Sequence, residues 1–241
     1  MSLQETPVVC KSSEQLRLQL GTDWAVEQIQ LPLGGGDGGD FVLTRHFGDT
    51  LQIFVGDAAG HGPEAAGLAN TVRRIIERDG EQAITAQRLA AWNREVEPAF
   101  GGKFVCLTCI EIDSAARLVR VANCGNPELL IVRNGGEIEQ CPATGMPLGM
   151  IEPELWHSPT VVEFALSPDD AIVCVTDGVT EQAGPEKQRF GIERVLTAVA
   201  SATIGRAVSF LDECLTTFAG EMPREDDVTM LCIGQLAKRV A

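Results

Sequence analysis

Strand-like runs on both sides of paired helical patterns predict an α+β layered sandwich. Three observations carry that expectation. Apolar runs of strand length, bounded by Gly, Pro, Asn and Asp, recur along the chain. Two stretches with apolar residues at helical spacing, 63–79 and 83–96, follow the first strand group, and a second pair, 190–200 and 207–219, follows the next. No linker, repeat or low-complexity tract interrupts 23–241, which reads as one domain behind an N-terminal arm or first strand at 1–22.

Taken in order, 24–33 alternates as a strand and is stopped by Pro32 and a glycine cluster. The runs 41–44 and 51–55 flank a Gly48-Asp49 turn and predict a β-hairpin. Pro63 suits the first position of a helix whose stripe is Ala65, Ala66, Leu68, Ala69, Val72, Ile75 and Ile76, and Gly80 ends it. The next helix, 83–96, shows Leu89, Ala90, Trp92 and Val96 and is expected to stop at Pro98. Strands at 103–113, 118–122 and 129–132, separated by turn residues, predict an antiparallel meander, with Asn134-Gly135 as a hairpin turn. The stretch 142–155 shows no period. Two strands, 161–166 and 171–176, precede the second helical pair, and 228–233 is a final buried strand.

Composition removes several functions. The 241 residues carry 19 basic and 34 acidic side chains, a net charge of −15. Nucleic acid and anionic membranes both require a positive face, so neither is expected as the main partner. Divalent cations, or a protein with a basic patch, suit this surface better. The first twenty residues lack an apolar core segment, and no apolar run approaches the roughly 20 residues that span a bilayer. The expected location is the cytoplasm. The eight cysteines lie mostly in apolar runs and read as core thiols. Cys106 and Cys109 form a CxxC, but no second pair or nearby histidine completes a zinc site, and a strand would turn the two to opposite faces.

Gly34, Gly36 and Gly39 fit GxGxxG, and Asp57 follows at the distance of a dinucleotide fingerprint. The glycines run into a hairpin and not into a helix N-terminus, so the Rossmann reading fails. What remains is a recurrent arrangement of carboxylates. Asp37 with Asp40, Asp57, Asp177, and Asp226 with Asp227 each lie at a glycine-rich turn or at the end of an apolar strand. One such Asp is an ordinary turn residue. Four acidic tips that converge would repel one another unless a cation neutralised them. Oxygen-only ligands select magnesium, manganese or calcium over zinc.

The motifs GGDGGDF (35–41), VGDAAGHG (55–62), NCGNPELLIVRNG (123–135), VTDGVTE (175–181) and EDDVTML (225–231) stand in an order that resembles the PP2C-like (PPM) metal-dependent serine/threonine phosphatases, in the SpoIIE/RsbU/RsbX branch. The resemblance spans roughly 28–234. It implies a four-layer α-β-β-α sandwich of two mainly antiparallel sheets, and two or three Mn2+ or Mg2+ ions. It implies that Asp57 bridges two ions, that the Ala58 backbone carbonyl serves the second, and that Asp177 and Asp226 complete the first. By the same resemblance these three aspartates are expected to act through metal-bound water on a phosphoserine or phosphothreonine. Asp37 resembles the residue that holds water on the metal, and Asp40 and Asp227 are secondary candidates beside stronger matches. The imidazole of His61 is a group of the kind that protonates a leaving alkoxide, although its place favours a role in the glycine turn.

Two departures stand out. Gly38-Gly39 replace the aromatic residues that usually follow the first GGD, which predicts a looser loop, and the family's NAGH appears as Asn123-Cys124-Gly125-Asn126. The implied partner is a phosphorylated STAS-type anti-sigma-factor antagonist or a stressosome protein. The motifs begin near residue 34, so a stand-alone phosphatase, or one governed by a separate chain, is expected. A weakly active module that binds a phosphorylated partner, and a hydrolase of small phosphoesters, are the competing readings. Arg45, Arg73, Arg74 and Lys103 are candidates to hold phosphate or acidic groups.

Overall fold

The hairpin predicted at Gly48-Asp49 is the centre of the first sheet in a computed structural model that describes residues 8–9, 15–20 and 24–235. Strand β4 (Phe41–Phe47) pairs with β5 (Thr50–Ala58). β5 then pairs along its full length with β6 (Val105–Asp113), and β6 with β7 (Leu118–Cys124). The edges are the short β1 (Val8–Val9) and β10 (Val162–Ala165). Among the described residues twelve strands form two six-stranded sheets, and every pairing is antiparallel. The second sheet runs β2 (Gln15–Leu20), β3 (Trp24–Leu31), β12 (Val228–Gln235), β11 (Ala171–Val175), β8 (Leu129–Val132) and β9 (Ile138–Cys141).

The chain forms two compact units, one around each sheet. The first is built mainly from Asp37–Asn126 and Ala143–Ala165, the second from the strands before Gly36, Pro127–Pro142 and the chain from Leu166 onward. In the first unit, helices α1 (Gly62–Asp79) and α2 (Ala86–Phe100) lay Ala65, Ala69, Val72, Ile76, Leu89 and Trp92 onto one sheet face. Phe54, Leu107, Cys109 and Ala122 receive them. In the second, α4 (Gly191–Ser201) and α5 (Ala207–Ala219) bury Val195, Val199, Val208 and Leu211 against Ile29, Val173, Met230 and Cys232. Each sheet therefore has a helical pair on one face, as the α+β reading requires.

Three expectations change. The stretch 129–132 does not continue a meander, because β8 leaves the first sheet and pairs with β9 and β11 in the second. A turn signal marks the end of a strand but not the sheet its successor joins. Helix α2 begins later than expected because Thr85 caps it, accepting from the Arg88 N–H at 3.2 Å. It also continues past Pro98 to Phe100 and ends at Gly101, whose φ of 56° is left-handed. The strand β9 and the four-residue helix α3 (Asp177–Thr180) are additions that the sequence pattern does not announce. Much of the predicted arm at 1–22 lies outside the described residues. The turn at Asn134-Gly135-Gly136 does join β8 to β9, with Arg133 and Glu137 closing it at 2.8 Å. No described helix is long and apolar enough to cross a membrane.

Candidate active site

In the first unit the acidic tip is made by β5. Phe54 is fully buried and anchors the strand under α1 and α2, and the half-buried Asp57 and buried Ala58 end it. The glycine loop closes on this end. The Ala58 N–H donates to the Gly39 carbonyl at 3.2 Å, and the Ala59 N–H to the Phe104 carbonyl at 2.9 Å. A Cβ on Gly39 would stand 2.7 Å from the Ala58 carbonyl oxygen and 3.0 Å from Ala65 Cβ. Only glycine fits there, so the loop departs from the family pattern without becoming loose at this point. Asp37 is exposed and Asp40 half-buried. His61 is exposed at the N-cap of α1 and makes no side-chain capping bond.

The second unit holds the other tips side by side. Val175 at the end of β11 pairs with Met230 of β12. Beyond that pair Thr176 N–H donates to the Thr229 carbonyl at 3.1 Å, and Thr229 N–H donates back to Thr176 Oγ1 at 2.9 Å. Both threonines are completely buried. This clasp brings the start of α3, Asp177-Gly178, up to the main chain of Asp227. A Cβ on Gly178 would overlap the Asp227 carbonyl oxygen, so the close approach requires glycine.

The structure also separates the two neighbouring aspartates. Asp227 is buried, and its Oδ1 accepts the Leu33 N–H at 2.6 Å, which ties β12 to the start of the glycine loop. Asp226 is half-buried, and its Oδ1 accepts the Asp227 N–H at 2.8 Å. The buried Asp227 is a structural tie, and Asp226 is the carboxylate left nearer solvent. Asp177, Asp226 and Asp227 therefore belong to one unit, and Asp37, Asp40, Asp57 and Ala58 to the other.

The donors fit a hard cation in kind. They are carboxylate and carbonyl oxygens, and Gly39 keeps the Ala58 carbonyl from being covered by a side chain. Among the described residues no three His, Cys, Asp or Glu stand together as a metal-binding group. The basic candidates are mostly engaged elsewhere. Arg45 donates to Gln52 and to the Ile76 carbonyl and lies over the Phe54 ring, and burial pulls its pKa down to about 10. Lys103 pairs with Glu64 at 2.7 Å. Arg73 and Arg74 bond only to Asn70 among the described residues.

Seven cysteines are free thiols, and Cys10 lies outside the described residues. Cys109 faces the helices while Cys106 faces the other way, as the strand period required. Burial raises the Cys109 pKa, and it pushes Cys124 up to about 12. No thiolate nucleophile is available there.

Residues 48–235 match the family described as stage II sporulation protein E (SpoIIE). The chain belongs to the SpoIIE family. Protein IcfG of Synechocystis is 25% identical to this SpoIIE-family chain over 228 residues, 81% of the chain, which in turn spans only 35% of IcfG. The solved RsbU and RsbW domains of Rv1364c from Mycobacterium tuberculosis superpose with a TM-score of 0.74 at 24% identity, covering 88% of this chain and 60% of that one. RsbX in complex with magnesium superposes with a TM-score of 0.69 at 15% identity, covering 93% and 100%. These likenesses establish the PP2C-type fold, two antiparallel sheets flanked by helices.

Proposed function

We propose that the chain is a Mn2+- or Mg2+-dependent protein phosphatase that hydrolyses phosphoserine or phosphothreonine, with 23–241 acting as one catalytic domain. The observation that carries this reading is the tight glycine packing beside two of the family's acidic motifs, Gly39 against the Ala58 carbonyl next to Asp57, and Gly178, next to Asp177, against the Asp227 carbonyl. Asp57, the Ala58 carbonyl, Asp177 and Asp226 would hold the cations. When bound, such ions supply a water of lowered pKa and neutralise the charge of the phosphoryl group. The chain's own contribution is positional. The Thr176–Thr229 clasp fixes the residue before Asp177 to the strand that follows Asp226, and the bond from the Leu33 N–H fixes Asp227, the neighbour of Asp226. Asp37 would orient water at the rim. His61, exposed and uncapped, is free to meet a leaving group but is not required to do so.

The substrate we assign is a phosphorylated STAS-type antagonist or stressosome component in the cytoplasm. The likeness to a chain that contains RsbU and RsbW domains supports a role in such a regulatory system. The test is turnover of p-nitrophenyl phosphate by purified protein. Activity with manganese, lost with EDTA and lost in Asp57→Asn, is expected. Activity that survives either change would overturn the reading.

A further inference from the structure

The NCGN sequence, which departs from the family pattern, builds a buried amide cluster beneath the tip of β5. Thr108 stands opposite Val55, and Asn123 stands opposite Thr108, so the three form a row across β5, β6 and β7. Side chains alternate, and Phe54, Leu107 and Ala122 face the helices. Val55, Asp57, Thr108 and Asn123 therefore share the opposite face. Gly125, with φ at 101°, turns the chain back toward that row, and a Cβ there would meet Pro147 Cγ at 2.6 Å.

Asn123 grips the returning main chain on both sides. Its Oδ1 accepts the Asn126 N–H at 3.0 Å, and its Nδ2 donates to the Asn126 carbonyl at 3.2 Å. Held in this way, Asn126 Nδ2 donates to the Val55 carbonyl at 3.0 Å and to Thr108 Oγ1 at 2.9 Å. Asn126 is only 3% exposed, Asn123 1% and Thr108 0%. The Asn126 Oδ1 is buried without a donor among the described residues. One N–H fastens β5 two residues before Asp57, and the other holds the neighbouring strand at Thr108.

We propose that Asn126 is a positioning residue for Asp57, which it orients through the Val55 carbonyl without touching metal or substrate. The proposal rests on the metal-dependent reading of the site. Outer-shell groups that hydrogen-bond metal ligands change metal affinity by about 10–100-fold when removed, and that range sets the scale for a group acting on the ligand's own strand.

The test compares the full chain with Asn126→Ala, and with Asn126→Ser in case the first variant does not fold. Val72→Ala, a cavity in the helix-facing core of the same unit, serves as the control for general destabilisation. Two readouts are taken: manganese affinity by calorimetry, and amide hydrogen exchange over 54–60 without metal. The expected result is a Kd for Mn2+ raised roughly tenfold or more, with faster exchange confined to the end of β5. Val72→Ala should lower the melting temperature and leave the Kd unmoved. A folded Asn126 variant that binds manganese like the wild type, or that only matches Val72→Ala, would overturn the assignment to Asn126. A wild-type chain that binds no manganese would overturn the metal reading itself, and this inference with it.

Discussion

Gly178 and Gly67 show how differently two glycines of this chain are used. A side chain at Gly178 would collide with the Asp227 carbonyl, which is backbone and cannot rotate away. Gly178→Ala should cost about 1–3 kcal/mol and disturb the packing of α3 on the Asp227 main chain. Gly67 lies exposed within α1, and a methyl group added to it would meet nothing within 4 Å. Gly67→Ala should stabilise by about 0.5–1 kcal/mol. Thermal unfolding of the two variants should move in opposite directions, and equal shifts would contradict the assigned close contact. At this scale the aspartates at strand ends could be found from their local pattern. The division of labour between Asp226 and Asp227 could not. It depends on the Leu33 N–H, 194 residues away in sequence, and no local pattern reports such a contact.

Among the elements, the strap between β10 and β11 has the clearest electrostatic role. Asp170 is buried there, and burial alone would raise its pKa. The N–H groups of Ser167 at 2.9 Å and Asn134 at 3.0 Å, together with Arg133 at 3.0 Å, outweigh that and hold it below the ordinary carboxylate value of 3.8. A carboxylate lowered on folding contributes stability that is complete above its unfolded pKa, near 3.8, and is lost as pH falls through the lower folded value. Asp170→Asn should therefore be less stable at neutral pH, and it should lose less stability than the wild type below about pH 4. Denaturant midpoints measured from pH 6 down to pH 2 test this, and parallel curves would contradict it. The strand and helix periods were legible from residues such as Val72, Ile76 and Leu89. The crossover of β8 was not, because Leu129–Val132 is equally apolar whichever sheet receives it. Helix α2 outran Pro98 because the chain has its left-handed exit only at Gly101.

Across the whole molecule, the surplus of acidic residues and the recurrence of acidic tips make cation binding and stability one question. A ligand that binds the folded state at a hundred times its Kd adds about 2.7 kcal/mol. For a chain of this length that is a rise in Tm of about 5–10 °C. Chelation should lower the melting temperature by that order, and added manganese should restore it. An unchanged Tm would argue against a shared cation site. The family was readable because five motifs occur in order, and each carries residues that the fold uses: Gly39, Asp57, Asn126, Gly178 and Asp227. The anchoring role of Asn126 was hidden in the sequence, where Gly125-Asn126-Pro127 reads only as a turn.

The most direct test of the account is release of inorganic phosphate from a phosphoseryl protein as manganese is titrated into the metal-free chain. The wild type should show saturable, manganese-dependent release, and Asp57→Asn, Asp177→Asn and Asp226→Asn should each reduce it at least a hundredfold, or about 2.7 kcal/mol of barrier. Release that persists without a divalent cation, or that survives all three substitutions, would contradict it.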